Sequence, residues 1–265
     1  MSFQHKVAWI TGASSGIGEA LAMELARRGA RLVLSARRVE ELRRVAAATG
    51  LGPSDCMVLP LDMTDDASLP GYVRAVQTHF GQIDYVFHNA GITQRSFVTE
   101  TDFSVYRRLM DVNFFGAVAL TQAVLPIMTT QQSGHFVVTS SVSGKIGVKQ
   151  RSGYCASKHA LHGFFDSLRA EVHAEGLRVT IVCPGYIRTP ISKSALDARG
   201  NNYGRSDQHQ EQGMTADDCA KRILSAVAKG REEVNIGGSE VLGIYLKRFW
   251  PGLLSSILRN RNVES

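Results

Sequence analysis

"KVAWITGASSGIGEALAMELARRG" (residues 6–29) decides the fold. An apolar, partly β-branched run meets a glycine-rich loop, and the loop opens a helical pattern. Gly12, Gly16 and Gly18 stand as G-x3-G-x-G. Glycines there permit a tight turn and close backbone approach, and the free N–H groups of a helix N-terminus suit a pyrophosphate. Ser14, Ser15 and Ile17 complete this candidate cofactor loop. A bare structural turn is the competing reading of the loop alone.

Outward from this unit the chain alternates strand and helix. Strand patterns fall at 6–11, 31–36, 56–61, 83–89, 135–140, 178–184 and 232–236. Helical patterns lie near 17–29, 39–48, 65–80, 102–129, 154–174 and 215–229. Near-continuous apolar strands separated by helices indicate βαβ units, with right-handed crossovers and both sheet faces covered. The expectation is an α/β fold: a single doubly wound Rossmann domain over residues 1–265, its seven-stranded, mostly parallel sheet flanked by helices on both faces. Residues 186–213 are polar and interrupt the alternation, as a substrate loop would. Residues 239–258 form an apolar C-terminal tail carrying Lys247, Arg248 and Pro251, too interrupted to span a bilayer.

The bulk numbers agree with a globular protein: 44% of residues are hydrophobic and 20% charged. The formal charge of +6 is scattered, with no block of five like charges, so no nucleic-acid partner is expected. Cys56, Cys155, Cys183 and Cys219 share no C-x-x-C spacing, which favours a reducing compartment. The strand pattern begins within a few residues of Met1, so neither leader nor anchor is expected and the location is predicted to be cytoplasmic. No metal ligands are expected.

The end of the second strand selects the dinucleotide. An acid there would bond the ribose 2′-OH of NAD. The sequence instead reads "LVLSARR", and the guanidiniums of Arg37 and Arg38 suit a 2′-phosphate, so NADP(H) is predicted. "LDMTD" follows the third strand. Asp62, beside Met63, stands where a carboxylate could accept from the adenine amino group, although Asp62 or Thr64 could equally cap the next helix. "HNAG" ends the fourth strand and offers Asn89, Ala90 and Gly91 to the cofactor, with a plain strand-end turn as the rival.

In "GYCASKHA" (153–160), Tyr154 and Lys158 are spaced to share a helix face. A phenol titrates near 10 and carries protons poorly at neutral pH. A neighbouring ammonium, joined by an oxidised nicotinamide, favours phenolate, and the roughly 3 units required correspond to about 4 kcal/mol. The pair is therefore a candidate acid–base unit. A snorkelling lysine beside a half-buried tyrosine is the competing reading. Ser141 ends the fifth strand, where its hydroxyl could bond a substrate carbonyl; Ser140 and Ser143 compete with it. Asn113 lies within the long helical stretch, either in a buried polar role or simply exposed.

"TGASSGIG", "HNAG", Asn113, "SS" at 140–141, "YCASK" at 154–158 and "CPGYIRT" at 183–189 stand in the order and spacing of the short-chain dehydrogenase/reductase (SDR) family. Over residues 5–237 the chain resembles that family, in its 11β-hydroxysteroid dehydrogenase-like branch and of the dehydrogenase/reductase member 7B type. The resemblance implies Tyr154 as proton donor, Ser141 as the group orienting the carbonyl, and Lys158 as the residue that lowers the phenol's pKa and bonds the nicotinamide ribose. It implies that Asn113 holds a water between lysine and solvent. Pro184 and Gly185 would approach the nicotinamide, Ile187 its carboxamide and Thr189 the phosphates. His88 replaces an asparagine often found there, with no expected effect on the chemistry.

The function expected is an NADP(H)-dependent oxidoreductase that exchanges a hydride with a carbonyl or secondary alcohol. Ile146, Val148, Tyr186 and Ile191 point to a hydrophobic, steroid-, retinoid- or lipid-like substrate, with Ser143 and Tyr186 as substrate contacts beside Ser141 and Tyr154. Arg151, Arg199 and Arg205 are candidates to meet an anionic head group. A catalytically silent NADP(H)-binding regulatory protein is the alternative. A homodimer or homotetramer built on the long helices is expected, and the tail is a candidate for peripheral membrane contact.

Overall fold

The apolar strands pair into one seven-stranded parallel sheet. The computed structural model describes residues 2–205 and 208–260; positions 206 and 207 of the predicted substrate loop, and residues 261–265, lie outside the described residues. In chain order the elements are β1 (Val7–Thr11), α1 (Gly16–Arg27), β2 (Arg31–Ser35), α2 (Val39–Thr49), β3 (Cys56–Val58), α3 (Leu69–Phe80), β4 (Tyr85–His88), α4 (Phe103–Met110), α5 (Gly116–Gln131) and β5 (Gly134–Thr139). They continue as α6 (Ser152–Glu171), β6 (Leu177–Pro184), β7 (Ile187–Arg188), α7 (Gln208–Glu211), β8 (Met214–Thr215), α8 (Ala216–Ala228), β9 (Glu233–Ile236), α9 (Leu242–Phe249) and α10 (Pro251–Asn260). The sheet order is β3-β2-β1-β4-β5-β6-β9. Its direction of growth reverses between β1 and β4, which opens a crevice at the strand carboxyl ends.

Alternation along each strand divides the core into two layers. Trp9, Val33, Val86, Phe136 and Ile181 face Val76, Leu120 and Phe165 of α3, α5 and α6. Ile10, Leu34, Phe87 and Val182 face Leu21, Leu25, Leu42 and Ile223 of α1, α2 and α8. In the register of the sheet Ile10 pairs with Leu34 on one side and Phe87 on the other, so both faces of the central strands are dry.

Two elements differ from the sequence-based expectation. β3 stops at Val58 rather than residue 61, because Pro60 has no N–H to offer the ladder. The main chain nonetheless stays aligned, with Leu59 and Leu61 donating to the carbonyls of Leu34 and Ala36. The predicted helix at 102–129 is instead α4 and α5 joined through a π turn, Asp111–Phe115. The joined Phe103–Gln131 run, 29 residues, is apolar and long enough to cross a membrane by length and composition alone. Its Ala117, Leu120, Val124 and Met128 are buried against the sheet. The apolar tail forms two helices, α9 and α10.

The 186–213 segment is also better tied down than an irregular loop. Leu196 bridges Gln94 on one side and Asn202 on the other, and β7 pairs with β8. Asp102 donates its N–H to Ala198, adding another anchor at 2.8 Å.

The entrance of β1 and the start of β4 share one buried carboxylate. Asp84 accepts from the Val7 N–H and from Lys6 Nζ, both at 2.8 Å, and from Gln82 Nε2 at 2.6 Å. Replacing it by alanine leaves the Val7 N–H buried and unpaired. Asp84→Ala is expected to lower stability by about 2–3 kcal/mol in urea denaturation, with the unfolding slope unchanged.

Candidate active site

The crevice is a cleft of about 620 Å³ that runs from the glycine loop to Tyr154 and Ser141. Its floor depends on close backbone approach. Gly12 has φ +67°, and a Cβ there would lie 2.8 Å from Ala90 Cα. A Cβ on Gly18 would come within 2.2 Å of the Gly12 carbonyl oxygen, so the start of α1 packs under the loop only because that side chain is missing. Thr11 Oγ1 locks the opposite wall by accepting from the N–H groups of Asn89 and Ala90. The result is a shallow, glycine-floored cradle at a helix N-terminus, and it fits the pyrophosphate of a dinucleotide.

Beside the cradle, Arg38 donates through Nη2 to the hydroxyls of Ser14 and Ser15, at 3.0 and 3.1 Å. Arg37 and Arg38 both line the cleft, and no acid stands at positions 36–39 directly after β2. Asp62 and Met63 form the adjacent wall. Burial pushes the Asp62 carboxyl upward, but hydrogen bonds from the Thr64 N–H and hydroxyl, aided by Arg37 and Arg108, hold it below the ordinary value. Asp62 thus organises a local turn with Thr64 and presents a charged edge to the cleft, whereas the cap at the start of the next helical segment is Asp65, accepting from the Ser68 N–H, and not Asp62 or Thr64.

At the other end, α6 carries Tyr154 and Lys158 on one face, both buried. Lys158 Nζ donates to the Thr139 carbonyl at 2.8 Å and lies 5.9 Å from the centre of the tyrosine ring. Ser141 is hydrogen-bonded to Tyr154. Its Oγ also accepts from the Ser143 N–H at 3.0 Å and donates to the Pro184 carbonyl at 3.3 Å. Ser140 is turned the other way, donating to the Lys158 carbonyl and bonding His162 Nε2. Of the three serines, Ser141 is the one whose hydroxyl lies beside Tyr154.

Asn113 sits within the π turn, where the helix takes in one extra residue per turn. Its amide forms a two-point pair with the Ile92 main chain, at 2.8 and 2.9 Å, and donates to Ser157 Oγ at 2.9 Å. The side chain therefore clamps the loop after β4 onto the catalytic helix, with both amide protons donated and one bond accepted at Oδ1. His88 is buried, bonds Thr121 Oγ1 at 2.9 Å and faces the interior; burial alone pushes its pKa down to about 3, so it stays neutral.

The electrostatics differ from the sequence-based expectation in one respect. Without a dinucleotide, burial dominates Tyr154 and raises its pKa, while the Ser141 hydrogen bond and Arg151 oppose the rise. The same burial lowers Lys158 to about 8. An ammonium near 6 Å from the ring does not overcome that desolvation alone, so lowering the phenol requires the further positive charge of an oxidised cofactor.

Several predicted contacts lie elsewhere. Ser143 is buried beside Cys155, with its N–H spent on Ser141, and does not line the cleft. Tyr186 is not among the cleft-lining residues; its backbone N–H donates to Glu240 Oε1 at 2.9 Å. Ile146 and Val148 pack against the tail, whereas Ile191 does face the cleft. Arg151, Arg199 and Arg205 are not among the cleft residues; the cations there, besides the two arginines after β2 and Lys158, are Arg108 and Lys193. Gly91, Pro184, Gly185, Ile187 and Thr189 line it as predicted.

Two positioning groups escaped sequence reasoning. Gln94 is fully buried and its Oε1 accepts from the Gly153 N–H at 2.9 Å, capping α6 from a distant loop. Gln210 reaches Thr189 Oγ1 at 3.1 Å and closes one side of the cleft. Neither carries a motif, because each acts through a contact that exists only once the loops have folded. Among the described residues, His162, Cys183 and Glu233 bring potential ligand atoms within 4.8 Å of one another. The Lys145 ammonium pairs with that glutamate and Ser140 occupies His162 Nε2, so the cluster acts as a salt-linked support beneath α6.

A glycine-floored dinucleotide cradle joined to a Ser–Tyr–Lys constellation defines a nicotinamide-dependent oxidoreductase. The chain belongs to the short-chain dehydrogenase/reductase family, whose short chain dehydrogenase profile matches residues 6–200. It is 42% identical over 264 residues to a "Dehydrogenase/reductase SDR family protein 7-like" of Drosophila melanogaster, covering 98% of this chain and 81% of that one. It is 37% identical to "Dehydrogenase/reductase SDR family member 7B" of Mus musculus, covering 97% and 81%. A Burkholderia phymatum short chain dehydrogenase/reductase crystallised in complex with NAD superposes with a TM-score of 0.84 at 25% identity, covering 100% of this chain and 98% of that one.

The buried ammonium makes a signed prediction. Lys158 titrates at about 8 in the folded protein, against roughly 10.4 when unfolded. Its charge therefore opposes folding fully below pH 8, and the penalty is relieved as pH rises towards 10. Measured without nucleotide, Lys158→Met is expected to stabilise the protein by about 2 kcal/mol at pH 7, with the gain shrinking at higher pH. A melting-temperature series over pH 6–10 checks both the sign and the trend.

Proposed function

We propose that this protein is an NADP(H)-dependent oxidoreductase that interconverts a carbonyl and a secondary alcohol on a hydrophobic, steroid-, retinoid- or lipid-like small molecule. The carrying observation is the cleft itself, which joins the Tyr154–Lys158–Ser141 group to Arg37 and Arg38 along one continuous wall. The dinucleotide, when bound, supplies or accepts the hydride. Everything else falls to the chain's own residues.

The Ser141 hydroxyl orients the substrate oxygen, and the Tyr154 O–H gives or takes the proton at that oxygen. Lys158 stabilises the ionised phenol and bonds the ribose beside it. Asn113 keeps the helix of Tyr154 in register with the loop after β4. Gly12, Ser14, Ser15, Gly16 and Ile17 hold the pyrophosphate, with Gly18 beneath them. Asp62, Met63, Asn89, Ala90 and Gly91 flank the adenosine half and the centre, and Pro184, Gly185, Ile187 and Thr189 the nicotinamide half. Arg37 and Arg38 favour a 2′-phosphate, since two exposed guanidiniums at the cleft edge gain charge-assisted hydrogen bonds from a dianion.

One folding unit would carry both cofactor and substrate sites. A homodimer or homotetramer is supported by the exposed Phe103 and Phe115 on the outer side of the α4–α5 run. A cytoplasmic location belongs to the same proposal. The substrate reading follows Ile191, Leu196 and Val112 in the cleft wall.

The test follows NADPH oxidation over a panel of steroid, retinoid, lipid and small aromatic ketones and aldehydes. Turnover is expected on apolar ketones, and Tyr154→Phe should reduce it by about 10³-fold or more while nucleotide still binds. NADPH binding with no turnover on any panel member would favour a silent binding protein. In a separate measurement, Arg37→Ala combined with Arg38→Ala should cut the preference of kcat/KM for NADPH over NADH by about 10–100-fold.

A further inference from the structure

The tail helices have two apolar faces, and only one is covered. Ile244 and Leu254 point inward and pack with Val142 and Ile146, in the segment that follows Ser141. On the outer side Leu242, Tyr245 and Phe249 of α9 stand at helical spacing, and Trp250, Leu253 and Ile257 continue the pattern into α10. All six are about half exposed or more, from 48% at Ile257 to 64% at Phe249. Such a contiguous outward apolar surface is a binding face rather than scatter.

Charge selects the occupant. Between Val241 and Asn260 there is no Asp or Glu, while Lys247, Arg248 and Arg259 are all exposed. Lys149 joins them by donating to the Arg259 carbonyl at 2.8 Å. A two-fold contact with a second copy would set this unbalanced positive rim against itself. An anionic bilayer surface would instead pair with the rim, and the Tyr245, Phe249 and Trp250 rings suit the boundary between headgroups and acyl chains.

We propose that the outer face of α9 and α10 docks on an anionic lipid surface, lying in the plane of the interface without crossing it. The docked face is separated from Val142 and Ile146 by a single helix layer, on the order of 10 Å. Docking therefore brings the Ser141 side of the molecule next to the bilayer, where an apolar substrate partitions.

The full chain is floated with phosphatidylcholine vesicles, either alone or with about 30% phosphatidylserine, the latter to supply the anionic potential. Flotation is expected only with the anionic vesicles, and it should weaken at least tenfold when Lys247→Glu and Arg248→Glu are combined. Phe249→Ser with Trp250→Ser should abolish it while leaving the melting temperature unchanged, since neither side chain is buried. Brominated lipid reports on the wild-type protein directly. Of its two tryptophans Trp9 is wholly buried, so quenching registers Trp250. Absence of both flotation and quenching on anionic vesicles overturns the proposal. So does equal binding to neutral vesicles, or a Phe249→Ser chain that changes oligomeric state in light scattering while the wild type ignores lipid, which would make a second copy the occupant.

Discussion

An ammonium buried beneath the carboxyl edge of a parallel sheet is the constraint around which this molecule is organised. Lys158 Nζ reaches the carbonyl of Thr139, the last residue of β5, with a hydrogen bond at 2.8 Å. Burying a charge with so little compensation is costly, and the lowered pKa of the lysine records that cost. The surrounding polar network limits it by fixing α6. Ser140 holds the Lys158 carbonyl, Asn113 holds Ser157, and Gln94 holds the Gly153 N–H. Three separate segments thus converge on a single helix so that two side chains point into one cleft.

The same sheet edge explains why the cofactor and reacting groups meet. Strands β1 and β4 part where the order reverses, and the loops after β1, β2, β4, β5 and β6 all open to that side. Cationic groups at Arg37, Arg38, Arg108 and Lys193 give the cleft a positive potential suited to a phosphate-rich ligand. Part of the chain's formal +6 is therefore concentrated where it can act, and the rest is spread over the surface and the tail helices.

Local patterns made most of this legible. Apolar runs named the strands, glycine spacing named the cradle, and the Tyr154–Lys158 interval placed both groups on one helix face. What stayed hidden depends on long-range contact or on small changes of helical pitch. The π turn at Asp111–Phe115 leaves hydrophobic periodicity almost undisturbed, so 102–129 read as a single helix. Arg151, Arg199 and Arg205 were named for the head group, whereas the loop that folds back through Leu196 places Lys193 in the cleft. Tyr186 stays out of the cleft lining, and its main chain is held by Glu240, a carboxylate that resembles any solvated acid in sequence. The phenol was the subtlest case: charge proximity was readable, whereas the opposing desolvation appeared only with the packed site.

The central claim is that Tyr154 becomes a usable proton carrier only when Lys158 is joined by the positive charge of a bound oxidised dinucleotide. The most direct measurement is the ionisation of Tyr154, followed as phenolate absorbance at alkaline pH in difference spectra against Tyr154→Phe. It is made with and without NADP+, in the wild type and in Lys158→Met. The account predicts a midpoint above 10 without nucleotide, a fall of about 2–3 units on binding, and loss of most of that fall in the lysine variant. A midpoint already near 7 in the nucleotide-free protein, or one that ignores both nucleotide and lysine, would contradict it.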